Sequence, residues 1–149
     1  MIQFALSLAL ALALSLAPQD SGDKSSVKTE APVYAGASIS NSGFLSAYDE
    51  NPTVGTIAYH QNLGNIPDDL TGYDGLIVVY DCSRIGQDAL LTVGDETWET
   101  LVFDCAGEAD GGQDWMTSNG YVAEIDYYMW QKYPHILGKY ATVTYMGDE

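Results

Sequence analysis

The residue best placed to carry out chemistry is Asp104, which stands where an apolar run meets a turn of small residues. Leu101–Phe103 precedes it and Cys105–Gly107 follows it. These neighbours indicate a carboxyl that is partly buried but open on one side, and burial can tune a carboxyl for proton transfer. We therefore expect Asp104 to lie in any active or binding site. The alternative is a structural carboxylate that accepts backbone N–H bonds in a loop.

Two stretches of chain have to hold Asp104 in position. One is the apolar run that it ends. The other is Tyr121–Asp126, where the chain returns after the polar, Gly-rich segment Glu108–Gly120. Tyr121–Asp126 alternates in the way that is typical of a half-buried strand, and Glu108–Gly120 is predicted to be a loop.

The chain has two cysteines, Cys82 and Cys105, and each ends a similar run, Ile77–Cys82 and Leu101–Cys105. Both runs finish in Asp-Cys, which places the two sulfur atoms at one end of neighbouring strands. In an exported protein such a pair most simply forms one disulfide. A zinc site would need further Cys or His ligands. We predict a Cys82–Cys105 disulfide, no metal site and no cofactor.

The first residues carry the features of an export signal. Residues 2–16 are uncharged and largely apolar, but this run is shorter than the ~20 residues that span a bilayer. Ser15-Leu16-Ala17 supplies a small-x-small cleavage pattern. We predict a signal peptide over residues 1–17, with a short membrane anchor as the alternative, a solvated spacer over 18–32 and one domain over 33–149. The mature protein is then expected to be secreted and extracellular.

The charge of the chain limits its partners. A formal net charge of −16 arises from 21 acidic against five basic residues. So acidic a protein is repelled by nucleic-acid phosphates and anionic lipid headgroups. We expect no nucleic-acid partner, no membrane contact after signal removal and a monomer. Neutral partners such as polysaccharides remain compatible with this charge.

Short strands separated by long polar loops predict a small all-β barrel or sandwich. Gly94-Asp95 is suited to a two-residue hairpin turn, and Asn41–Thr53 is predicted to be loop. Tyr127–Tyr133 is predicted to form one or two helical turns that Pro134 ends. The predicted strands are Val33–Ser40, Val54–His60, Leu76–Asp81, Ala89–Val93, Glu99–Phe103, Tyr121–Asp126 and Lys139–Met146.

This order of motifs resembles the double-psi β-barrel of the rare-lipoprotein-A, barwin and expansin group. The resemblance implies a small six- to seven-stranded double-psi β-barrel with one short helix. The matching motifs are Gly36-Ala37-Ser38, Ala58-Tyr59-His60, Leu63…Pro67, Leu76–Tyr80, Val102–Gly107, Ala123–Tyr127 and Gly138…Val143-Thr144-Tyr145.

The resemblance also implies a chemistry. In the enzymes of this group, which include lytic transglycosylases and endoglucanases, an aspartate in the position of Asp104 acts as the acid on a glycosidic oxygen. His60 falls in the same groove, and Asp126 is a further catalytic candidate. Transglycosylation needs one acid/base, whereas inverting hydrolysis needs a second carboxylate ~6.5–9.5 Å away. Asp81, Glu124 and Asp126 are the candidates for that second group.

Aromatic residues supply the expected binding surface. The chain has 11 Tyr and three Trp, and sugar rings pack their C–H faces on such rings, which keep a polar edge in water. We place Trp115 beside the groove with Tyr59 and Tyr121 behind it, and Trp98 and Trp130 in the core.

We expect a barrel that binds or cleaves a cell-wall-type polysaccharide such as peptidoglycan, cellulose or chitin. Asp81 and Glu124 are expected to line the substrate site. The alternative is a non-catalytic structural, protein-interaction or defence domain on the same barrel.

Overall fold

The computed structural model describes residues 38–107, 109 and 111–147. The predicted signal peptide and spacer, and the first residues of the predicted strand Val33–Ser40, lie outside the described residues. None of the helices in the described part of the chain is long and apolar enough to cross a bilayer. The elements are β1 Ile39–Ala47, α1 Glu50–Asn62, β2 Gly75–Val79, a 3-10 turn Cys82–Arg84, β3 Asp88–Val93, β4 Glu96–Cys105, α2 Gly112–Ser118, β5 Tyr121–Ile125, α3 Tyr127–Lys132, a 3-10 turn Pro134–Ile136 and β6 Tyr140–Tyr145.

The six strands close into a barrel in the order β1-β5-β2-β4-β3-β6. Two neighbouring pairs, β1/β5 and β2/β4, are parallel, and the other pairs are antiparallel. Closure removes the unpaired strand edges that an open sheet would expose. The predicted small all-β barrel is therefore confirmed, with three α-helices among the described residues where one was expected.

Side chains fill the barrel, and a second apolar layer covers part of its outside. Ile77 and Val79 of β2 belong to the interior cluster, and Val78 belongs to the outer cluster with Leu101 and Phe103. The predicted burial of both faces of this strand is confirmed, since Ile77, Val78 and Val79 are 0–1% exposed. Each such aliphatic side chain contributes about 1.5–3 kcal/mol through burial.

The predicted strand Val54–His60 is wrong, because these residues belong to helix α1. Pro52 lies in the first turn, where its missing N–H is not needed. Thr53, Ile57 and His60 follow the i, i+4, i+7 spacing of one helix face, and Thr53 and His60 are buried. Only one large apolar residue stands on that face, so the sequence lacks a strong helical pattern there.

Two predicted loops also contain regular structure. Asn41–Thr53 holds most of β1 and the start of α1, and Glu108–Gly120 holds α2. Apart from Phe44, which is exposed, the outward residues of β1 are serines, so the strand has weak alternation. Helix α2 is short and begins after Gly111, whose φ of 76° requires the left-handed conformation that glycine adopts freely.

Several local predictions are confirmed. Strands β3 and β4 pair across the Gly94-Asp95 turn. Helix α3 covers the predicted helical turns, and β6 matches the predicted closing strand. Trp98 is 6% exposed in the interior cluster. Cys82 and Cys105 form a disulfide at the carboxyl ends of the parallel strands β2 and β4.

Candidate functional site

A bulge in β4 turns Asp104 to the outside of the barrel. Ile77 pairs with Val102, but the next residue, Val78, pairs with Asp104, so Phe103 is the additional residue on β4. Strict alternation would send Asp104 inward after the outward Phe103. A bulge re-aims the side chain that follows it, and Asp104 accordingly meets residues of α1 and of the β1–α1 connection.

Two side-chain donors converge on Asp104 from different parts of the chain. The Tyr48 hydroxyl donates to Oδ2 at 3.1 Å, and His60 Nε2 lies 3.3 Å from Oδ1. The Asp104 side chain is 19% exposed and that of His60 is 8% exposed. The Tyr48 ring packs edge-on against Phe103, which fixes its hydroxyl over the carboxylate. The cluster is thus rigid on its inner side and open to solvent at Asp104.

The orientation of His60 is set by Asn65, three residues beyond the end of α1. The Asn65 amide nitrogen lies 3.0 Å from His60 Nδ1. An amide N–H only donates, so Nδ1 is the acceptor and the neutral ring carries its proton on Nε2, facing Asp104. Gly86 allows Asn65 to approach closely, because a Cβ at position 86 would overlap the Asn65 carbonyl oxygen. Asn65 therefore donates to His60, and His60 donates to Asp104.

A second carboxyl, Glu124, lies in the same row as Asp104. Val78 pairs with Asp104 on one side and with Glu124 on the other, so β4, β2 and β5 carry these three residues at one level. Ser46 Oγ donates to Glu124 Oε1 at 3.0 Å. Burial, together with the charges of Asp104 and Asp49, raises the pKa of Glu124 despite the Ser46 bond.

Both carboxyls affect the pKa of the Tyr48 hydroxyl. Burial is the main cause that raises the pKa of Tyr48, and the charges of Asp104 and Glu124 add to it, against the bond from Thr56. The phenol therefore stays protonated and keeps its O–H directed at Asp104.

Asp126 and Asp81 are held in different surroundings. Asp126 is 2% exposed, and its oxygens accept from the backbone N–H groups of Leu76, Tyr128 and Met129, so that it caps α3. Asp81 caps the 3-10 turn after β2, where its bonds from Ser83 lower its pKa. Neither side chain is hydrogen-bonded to the Asp104 cluster.

Aromatic residues lie on the elements that carry His60 and Glu124. Trp115, which is 48% exposed on α2, stacks on Tyr121 with 5.1 Å between ring centroids and 20° between planes. Because β5 runs antiparallel to β2, Tyr121 lies toward the carboxyl end of β2, about 10 Å along the strand from Glu124. Tyr59, which is 59% exposed, contacts the edge of His60.

Sequence reasoning missed Tyr48, Asn65 and Ser46. Tyr48 precedes the N-cap Asp49 of α1, a position where a hydrophobic residue packs against the first turn of a helix. Recognition of α1 as a helix would have identified Tyr48. Asn65 and Ser46 carry no local signal, because their partners come from remote strands or depend on the turn after α1.

The arrangement can hold and transfer protons. Within residues 38–107, 109 and 111–147, no three His, Cys, Asp or Glu side chains are grouped to hold a metal ion. The site combines two carboxyls, an imidazole and a phenol beside exposed rings. No protein family, no curated protein and no solved structure matches this chain.

Proposed function

We propose that this protein is an exported double-psi β-barrel that acts on a cell-wall-type polysaccharide, with Asp104 at its reactive centre. The observation that carries the proposal is the half-open Asp104–His60–Tyr48 cluster, which lies in one row with Glu124. The closed six-stranded order supports the barrel type that the sequence resembles.

The surface around the carboxyls suits a neutral sugar chain. Trp115 and Tyr121 offer a stacked aromatic surface to a sugar ring, and Tyr59 offers another on α1. The carboxyls, the imidazole and the phenol supply donors and acceptors for hydroxyl groups. The net charge of −16 disfavours anionic polymers as alternatives.

Export is supported by two features. The Cys82–Cys105 disulfide is of the kind that persists in oxidising compartments. The apolar N-terminal run has the length of a signal-peptide core. The protein is therefore proposed to act outside the cell as a monomer.

The test is a retention and digestion assay of the exported protein on insoluble peptidoglycan, chitin, cellulose and mixed-linkage glucan. Wild type is compared with Asp104→Asn and with Trp115→Ala. The matched controls are Asp95→Asn, in the exposed β3–β4 turn, and Tyr128→Ala, an exposed aromatic on α3. We expect Trp115→Ala to lose retention and Asp104→Asn to lose soluble products, with both controls unchanged.

Each result separates the candidate functions. Retention without products from any variant would make the protein a binding module with a structural Asp104. Equal losses in a control and its matched variant would show that the effect does not arise at this site. Absence of retention on all four glycans would contradict the proposal and favour the protein-interaction alternative.

A further inference from the structure

We propose that four aromatic side chains on the outside of the barrel form one binding surface for an extended, uncharged polysaccharide chain. These side chains, which we call the aromatic strip, are Trp115 of α2, Tyr121 of β5, Phe44 of β1 and Tyr140 of β6. The inference rests on the proposed action on polysaccharides. It adds Phe44 and Tyr140 to the surface that Trp115 and Tyr121 offer, and it narrows the substrate class to chains without charged groups.

The first support is that the four rings follow one another across neighbouring elements. Phe44 pairs in register with Tyr121 of β5 on one side and with Tyr140 of β6 on the other. The Phe44 and Tyr140 rings meet edge to face, with 5.5 Å between their centroids. Trp115 stacks on Tyr121. The strip therefore consists of two ring pairs on adjacent strands.

The turn between α2 and β5 holds the two ring pairs next to each other. The Phe44 N–H donates to the Gly120 carbonyl oxygen at 2.8 Å. The Phe44 ring lies beside Gly120, where an added Cβ would come within 3.8 Å of the ring. Gly120 directly precedes Tyr121 and places no side chain between the pairs. The backbone thus makes the strip continuous.

The second support is the exposure of the strip. Phe44 is 46% exposed and Tyr140 is 62% exposed, and Trp115 is exposed to a similar extent. Phe44 has no polar atom that water could solvate, and a contiguous exposed apolar surface marks a binding site. Tyr121 and Tyr140 lie two strand spacings apart, which is about 10 Å. The strip is therefore longer than a single sugar ring.

The third support is the chemistry of the surface beside the rings. Neither β1 nor β6 contains a charged residue, although the chain has 21 acidic residues. The outward positions that continue from Phe44 and Tyr140 carry hydroxyl pairs at 2.9 Å, Ser42 with Thr142 and Ser40 with Thr144. Hydroxyls both donate and accept hydrogen bonds, as sugar hydroxyls do. Aromatic rings flanked by hydroxyls suit the C–H faces and the polar edges of a sugar.

The charge of the protein selects among the possible occupants of the strip. A second copy of this chain would bring a further net charge of −16, which opposes association. The carboxylates of peptidoglycan peptides would be repelled in the same way. An uncharged chain such as cellulose or chitin meets no such repulsion. The strip therefore fits these chains better than peptidoglycan.

The test measures the affinity of the exported protein for cello- and chito-oligosaccharides of increasing length by titration calorimetry. Wild-type affinity should rise with each added sugar until the strip is filled. In Phe44→Ala and Tyr140→Ala the rise should stop at a shorter length, so that the longest oligosaccharides bind about tenfold more weakly. Tyr140→Phe keeps the ring and should bind as wild type does.

The matched control is Tyr128→Ala, which removes an exposed ring that also packs edge-on against a neighbouring ring, that of Tyr127. Its affinities should equal those of wild type at every length. A readout that needs no substitution is NMR of the aromatic side chains. The ring signals of Phe44 and Tyr140 should shift when a long oligosaccharide is added to wild type, and those of Tyr128 should not.

Several results would overturn the inference. Wild-type binding that neither Phe44→Ala nor Tyr140→Ala weakens would remove these rings from the surface but leave the proposed function in place. Tighter binding of peptidoglycan fragments than of uncharged chains would contradict the narrowed substrate class. A dimer in sedimentation that both alanine variants dissociate would make a second copy the occupant. Absence of wild-type binding to any glycan would contradict both this inference and the proposed function.

Discussion

Asp104 lies near the end of β4 and Asp126 directly follows β5, the two strands that neighbour β2, yet their surroundings differ completely. Asp126 is 2% exposed and accepts three backbone N–H groups. The Asp104 side chain is 19% exposed and accepts from two side chains. Backbone donors are fixed by secondary structure, so Asp126 is bound to one position. Asp104 instead has side-chain donors and an open side, so it can exchange hydrogen-bond partners with solvent.

The largest expected difference between the two sites is in stability. Asp126→Ala leaves three N–H groups without an acceptor at a buried position and should lower the free energy of unfolding by at least about 3 kcal/mol. Asp104→Ala should lower it by about 1 kcal/mol, because water can replace the lost acceptor. Urea denaturation of both variants measures the two losses of unfolding free energy. Equal losses would show that the surroundings of Asp104 and Asp126 do not differ in the way described.

The disulfide is expected to stabilise the end of β4 that carries Asp104 but not the surroundings of Asp126. Cys105 follows Asp104 directly, and the bridge spans 23 residues, so the double substitution Cys82→Ser, Cys105→Ser should remove about 3 kcal/mol. Hydrogen exchange should become faster at the end of β4 but stay slow at Tyr128 and Met129, which Asp126 holds. Equal acceleration at the two sites would mean that they unfold together.

Removal of one donor from Asp104 should have a smaller effect. Tyr48→Phe keeps the ring against Phe103 and removes the O–H that points at Asp104, so about 1 kcal/mol of stability should be lost. The His60 ring should remain hydrogen-bonded to Asp104, which its imidazole NMR signals report. Tyr73→Phe, which removes an exposed bond to Asp88, is the control for loss of a hydroxyl, and its imidazole spectrum should match wild type.

The smallest expected effect is the pH dependence of stability that Glu124, in the row of Asp104, contributes. The folded-state pKa of Glu124 lies above its ordinary value of 4.5. Below that value the side chain is protonated in both states and contributes no pH dependence. As the pH rises through the folded-state pKa, the ionised side chain favours unfolding. Glu124→Gln should therefore have a slightly higher Tm than wild type at neutral pH but not in acid, and parallel Tm curves would contradict this.

The sequence predicted well wherever the signal was local. The apolar run that becomes β2, the Gly94-Asp95 hairpin and the cysteine pair each depend on residue types within one or two neighbouring elements. Helix α1 was misassigned because its buried face holds Thr53 and His60, polar residues that make no helical stripe. Their burial is a tertiary effect, since Thr53 meets Tyr127 at the start of α3 and His60 meets Asp104 of β4.

The candidate site likewise contains residues that the sequence could identify and contacts that it could not. Residue patterns marked Asp104, after an apolar run, and Trp115, in a polar Gly-rich segment, and the family resemblance marked His60. The partners of Asp104 lie 44 and 56 residues away in sequence, and the Ser46–Glu124 bond joins residues 78 apart. No local pattern specifies such contacts.

By itself, the sequence determined an acidic, mostly β domain with one disulfide and a strand that carries Asp104 near its end, because composition and alternation depend only on nearby residues. Tertiary structure alone decided that a bulge turns Asp104 outward, that α1 brings His60 to it and that Val78 aligns it with Glu124. These features depend on strand register, and closure of the whole barrel sets that register.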